Sequence, residues 1–167
     1  MEGSRPVKLM QSEEEKKNPM RLLIVSKEGA HFYRLIEASG SSGETLEIEK
    51  NFPTYPTATL AKFAPNKGRL AIIADPIGLH IVDCHSAKEL RLILRSVAIS
   101  AVSFSPLDTF FVTCEKFVQG EKNLIVWDIA TGNEVAQFEW KKGSKEGTKS
   151  IKFSNDEKFC ARLSSRT

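Results

Sequence analysis

A degenerate internal repeat constrains this chain more than any other feature of it. Phe63-Ala64-Pro65 returns as Phe104-Ser105-Pro106 and, more weakly, as Phe153-Ser154-Asn155, at separations of 41 and 49 residues. Ile81-Val82-Asp83 returns as Val126-Trp127-Asp128, 45 residues later. Each is followed by a small polar turn, 84–88 in one unit and 129–133 in the other. A further run comes next, Glu89 to Leu94 and Glu134 to Phe138. A unit of this period is one supersecondary element that cannot hide both of its faces, so it must stack on copies of itself.

The runs inside each unit are short, rich in β-branched and aromatic residues, and punctuated by turn clusters. No long segment shows the i, i+3, i+4 spacing of an amphipathic helix. The pattern predicts strands over 21–25, 31–36, 58–63, 69–73, 79–83 and 89–94, after which the same order begins again. Four short strands per unit, with Asp or Trp-Asp closing the third, are the signature of a propeller blade. The expected fold is all-β: an incomplete WD-repeat-type β-propeller of three to four blades, near 21–57, 58–97, 98–140 and 148–167. Residues 1–19 are polar, show no apolar period, and read as a disordered tail.

Particular residues carry the blade pattern. Pro65 and Pro106 end a strand, because proline fixes φ and cannot donate to a central ladder. Trp127 is expected to pack between blades. Asp128, like Asp83 in the preceding unit, closes a strand and is expected to order the turn before Thr131-Gly132. The Gly-His dipeptide of regular WD repeats is missing, so their Asp-His-Ser-Trp hydrogen-bond tetrad is not expected in its usual form. The second full unit also carries an insertion, 115–122, between its second and third strands. It reads either as a solvated hairpin extension or as a partner contact.

Composition excludes several function classes. The longest apolar runs fall far short of the roughly 18 residues of a membrane span. The acidic stretch Glu13-Glu14-Glu15 does not suit a targeting peptide, so the cytoplasm is the expected location. Cys84, Cys114 and Cys160 are odd in number and far apart, which suits buried thiols in a reducing compartment. No phosphate-binding glycine motif, C-x-x-C pair or G-x-S-x-G elbow occurs. His80, Cys84 and His85 cluster, but nothing nearby completes a metal site. The chain is therefore expected to be no enzyme, with no cofactor, metal or small-molecule substrate.

One stretch has charge suited to a macromolecular partner. From Glu139 to Thr167 there are eight Lys/Arg against four Asp/Glu, within a net charge of +3 for the whole chain. Lys141, Lys142, Lys145, Lys149 and Lys152 lie in and beside a Gly/Ser loop next to Trp140. Lysines with a neighbouring aromatic suit phosphate contact plus base stacking. The alternative is a solvated loop with Trp140 packed inward. Arg162 is expected to pair with Asp156 or Glu157.

Phe104-Ser105-Pro106-Leu107-Asp108-Thr109, continued by Asn123 to Gly132 and by Phe138 before Lys141-Lys142, resembles the eukaryotic translation initiation factor 2A family. The block from Ile151 to Arg162, with its Asp-Glu turn and Cys160-Ala161-Arg162, is similar to the same family, as is Leu22 to Gly29. The resemblance covers roughly residues 21 to 166. It implies a nine-bladed propeller with a charged C-terminal region, in a longer parent chain. It also implies a role in translation initiation, with the small ribosomal subunit, initiator tRNA, mRNA and other initiation factors as partners, and no membrane. Two departures stand out: 143–147 replaces a family tryptophan, and the sequence stops mid-blade. Propellers of translation initiation factor 3 subunit b, and generic WD-repeat scaffolds without an RNA role, share much of the pattern.

Overall fold

The computed structural model describes residues 20–37, 43–66, 68–141 and 144–162, with the side chains of 37, 44 and 144–146 excepted. The stretch 1–19 and Lys142 lie outside the described residues. Thirteen strands and one 3-10 helix, Ser144–Ser150, make up the regular structure among them.

The strands form four antiparallel sheets in sequence order. Blade 1 holds β1 (Arg21–Ser26), β2 (Gly29–Glu37) and β3 (Glu44–Ile48). Blade 2 holds β4 (Leu60–Phe63), β5 (Leu70–Ala74), β6 (Gly78–Asp83) and β7 (Lys88–Leu94). Blade 3 holds β8 (Ile99–Phe104), β9 (Phe110–Glu115), β10 (Leu124–Asp128) and β11 (Glu134–Phe138). Blade 4 shows β12 (Ile151–Phe153) and β13 (Cys160–Arg162). Strand β3 has no counterpart in the sequence expectation. Its only apolar residues, Leu46 and Ile48, are about half exposed, so no buried run marks it.

Blade 1 supplies counterparts of the second to fourth strands of the others. Gly29 opens β2 as Gly78 opens β6, and both positions demand glycine. A side chain at either would run into a backbone carbonyl, that of Tyr55 or of Ile93.

Three apolar layers lie between successive blades. Ala30, Phe32 and Phe52 meet Ala71, Ile73 and Val82 between blades 1 and 2. Ile72, Leu79 and Ile81 meet Val102, Phe111, Ile125 and Trp127 between blades 2 and 3. Val112, Cys114, Leu124 and Val126 meet Trp140 and Ile151 on the far side of blade 3. Alternate residues of β5 thus serve opposite layers, which is why Ala71-Ile72-Ile73-Ala74 is apolar throughout. Each such side chain contributes roughly 1.5–3 kcal/mol on burial.

The lower ends of the blades carry the tight turns, and carboxylates organise them. Asp83 Oδ1 accepts from the amides of His85 and Ser86, at 2.8 and 3.4 Å. Asp128 Oδ1 accepts from the amide and hydroxyl of Thr131, at 2.7 and 2.9 Å. Asp108 and Glu157 hold left-handed backbone, with φ of 61° and 55°, and each reaches across to the preceding blade. The Asp108 carboxylate accepts from the Asn66 amide at 3.1 Å, and Glu157 accepts from the Leu107 amide at 2.5 Å. Asn66 and Leu107 both follow the strand-ending proline, so the same turn-to-turn staple recurs at two blade junctions. Arg162 pairs with neither Asp156 nor Glu157: it donates to the Glu139 carbonyl at 2.7 Å and lies over the Phe138 ring.

The hydrogen bonds from Thr131 hold the Asp128 carboxyl below its ordinary range. A carboxyl so depressed stabilises the fold above its unfolded pKa of about 3.9, and that stabilisation disappears as pH falls through the folded value. The D128A variant is therefore expected to melt lower than the parent at pH 7 and at the same temperature near pH 2. Thermal scans across that range check it. A difference of equal size at both ends would mean that the turn is not held by the charge.

Candidate nucleic-acid interface

At the upper ends, beside the short turns 27–28 and 75–77, run links of unequal length. These are 49–59 between blades 1 and 2, 95–98 between blades 2 and 3, 116–123 inside blade 3, and 139–150 beyond it. Two partly buried polar networks underpin them, at equivalent places in successive blades. In blade 2, His80 sits between Glu89 and Asp75, with Nδ1 2.8 Å from Glu89 Oε2 and Nε2 3.1 Å from Asp75 Oδ2. The Tyr55 hydroxyl, arriving from the link, donates to Glu89 Oε2 at 3.2 Å. Burial, reinforced by Glu89, keeps that phenol well above its usual range.

In blade 3, Arg95 arrives from the link and takes the place of both His80 and Tyr55. It makes a two-pronged contact with Glu115, at 2.6 and 2.8 Å, reaches Glu134 at 3.0 Å, and covers the Trp127 ring. Trp127 Nε1 donates to Thr113 Oγ1 at 2.8 Å. The Trp127–Thr113 pair thus lies beneath the Arg95–Glu115 pair, where regular WD repeats would carry their Asp-His-Ser-Trp tetrad. His80 is occupied by carboxylates, and Cys84 is a buried thiol that burial pushes up to about 12. Cys114 is buried as well, whereas Cys160 is exposed, contrary to the expectation of three buried thiols. No group of three or more His, Cys, Asp or Glu side chains among the described residues is placed to hold a metal ion.

Asn123 joins the 116–123 and 139–150 segments. Its buried amide donates to the Glu115 and Trp140 carbonyls, each at 3.1 Å, and its Oδ1 accepts from the Trp140 amide at 2.8 Å. The insertion and the lysine-bearing segment are therefore clamped side by side. Lys116 and Lys122 flank the insertion, and Lys141 and Lys149 stand on the adjoining segment, all four exposed. Glu121 and Glu139 stand among them, Glu139 3.6 Å from Lys141. The segment expected to be a Gly/Ser loop is in part the 3-10 helix Ser144–Ser150, packed on β8 and β9.

The five lysines singled out in the sequence do not form one group. Lys141 and Lys149 belong to the upper surface, while Lys152 lies on the innermost strand β12, where its counterpart in blade 2 is Lys62. Lys142 and the side chain of Lys145 lie outside the described residues. Trp140 is not a stacking platform. It is 9% exposed, within the layer formed by Cys114, Leu124 and Ile151. Lys116 and Lys122 belong to the insertion, which the sequence leaves open between a solvated hairpin and a partner contact. The lower end offers a cleft of about 300 Å³ bordered by Arg69, Asp83 and Asp108, away from these lysines.

Comparison with known proteins agrees with this architecture. A crystal structure of a eukaryotic initiation factor superposes with a TM-score of 0.67 at 23% identity, covering 88% of this chain and 36% of that one. The C-terminal WD40 domain of Sif2 superposes with a TM-score of 0.54 at 17% identity, covering 75% of this chain and 36% of that one. The chain thus spans about a third of the length of each. No family model and no curated protein matches it. No helix among the described residues is long and apolar enough to cross a membrane. Repeating four-stranded sheets, apolar layers between them and these two likenesses identify the fold: the chain is an incomplete β-propeller of the WD40 type.

Proposed function

We propose that this chain is a non-catalytic, cytoplasmic docking module of translation initiation, whose upper surface meets RNA of the small ribosomal subunit and assists engagement of initiator tRNA and mRNA. The observation that carries the reading is the clamped pair of upper segments presenting Lys116, Lys122, Lys141 and Lys149 to solvent. The acidic residues of the lower end, by contrast, are bound into turns. The likeness in fold to an initiation factor and the sequence resemblance of the blades support the setting.

The test is sedimentation of the chain with small ribosomal subunits at low and moderate salt. Co-sedimentation that weakens as salt rises is expected, and reversing Lys141 and Lys149 to glutamate should lower the salt slope by about one per lysine. Identical binding by the charge-reversed variant at every salt would sink the reading. A scaffold that assembles proteins is the second reading. It draws on the exposed Leu90, Leu94 and Val135 of the outer strands, each more than half exposed.

A further inference from the structure

We propose that the 116–122 insertion, together with Lys141 and Lys149, forms one composite surface for a single-stranded RNA segment, with Phe117 as the stacking platform. This rests on the RNA reading above and adds the conformational class of RNA that fits. Phe117 is 39% exposed and Val118 beside it 41% exposed, and neither belongs to any of the three apolar layers. Phe117 thus keeps over a third of its surface open to contact from outside the chain.

The loop is braced rather than loose. The Lys116 amide donates to the Ala98 carbonyl at 3.0 Å, and the Glu121 amide to the Val118 carbonyl at 3.1 Å. Gly120 takes the left-handed backbone that turns the loop, with φ of 83°, and Asn123 anchors its base to Trp140. Phe117 therefore stands in sequence between Lys116 and Lys122, on a loop whose base is bonded to the backbone next to Lys141.

Charge alone does not make this a strong site. Among the described side chains, Lys116, Lys122, Lys141 and Lys149 stand against Glu121 and Glu139, an excess of two positive charges. Such an excess gives a weak, shallow phosphate contact, and a further contribution must come from contact with bases. A double helix keeps its bases stacked inside and offers an aromatic side chain only sugar and phosphate. An unpaired strand offers the faces of its bases, to which a ring contributes a sequence-tolerant stack.

The experiment is fluorescence anisotropy of the 167-residue chain with a labelled oligouridine roughly twelve nucleotides long, and with an RNA duplex of similar length. The parent should bind the single strand more tightly than the duplex. F117A should lose about 5- to 100-fold on the single strand with its salt slope unchanged, and F117Y should retain binding. K116E/K122E should lose affinity and salt slope together. An equal melting temperature for parent and F117A separates lost stacking from lost folding. If F117A binds as the parent does while K116E/K122E weakens, the stacking inference falls and the RNA reading stands. If the parent binds neither RNA at low salt, both fall.

Discussion

Replacing Arg95 by alanine is expected to destabilise the chain by about 3–5 kcal/mol. The guanidinium satisfies Glu115, whose side chain is only 3% exposed, through two hydrogen bonds, and its removal leaves a buried carboxylate without a partner. The same change uncovers the Trp127 ring and frees Glu134. These contacts hold the Arg95 cation above its ordinary range, led by its hydrogen bonds to Glu115. Urea unfolding of R95A checks the size, and R95A/E115Q should recover part of the loss because the orphaned charge is gone. A loss below about 1 kcal/mol would show that the pair is effectively solvated, as surface pairs are.

The second large effect is expected at Asn123. Its side chain makes three hydrogen bonds to backbone groups, and the residue is 2% exposed. Truncation to alanine strands those backbone groups, each costing about 1–3 kcal/mol if nothing replaces the bond. N123A should therefore lose several kcal/mol in total, and the Trp140 amide should exchange its hydrogen with solvent far faster than in the parent. Aspartate keeps the acceptor toward the Trp140 amide and loses both donors, so N123D should remain defective. Amide exchange unchanged in N123A would mean that the 139–149 segment is held by its apolar contacts alone. It would also remove the reason for treating the two upper segments as one surface.

How far the sequence reaches follows from where each interaction lies along it. Phe-x-Pro, Trp127 and the Asp-turn pairs were legible because they act within a few residues of themselves or through simple burial. Arg95, Glu115 and Glu134 were not, since each alone looks like one more surface charge and they meet only when blades 2 and 3 stack. The His80 network hides in the same way, drawing Tyr55 from one link and Glu89 from another strand. Trp140 shows the converse error. Its neighbours in sequence are lysines, which suggests an exposed ring, while its neighbours in space are Cys114 and Ile151. Phe117 gave only the signal of an aromatic inside an insertion, and its exposure decides its meaning.

The staples at Asp108 and Glu157 bear on how such repeats diverge without losing shape. In a stack whose pitch is set only by core volume, every substitution in a layer would alter the angle to the next blade, and the errors would accumulate along the series. Here a backbone amide and a carboxylate fix the step at the lower rim, away from the axis of packing. A few tenths of an ångström gained or lost in a layer are then taken up by side chains instead of rotating the neighbour. The three layers accordingly differ widely in composition, from paired phenylalanines to a tryptophan beneath an arginine. The rim works as an angular gauge, leaving the interior free to vary.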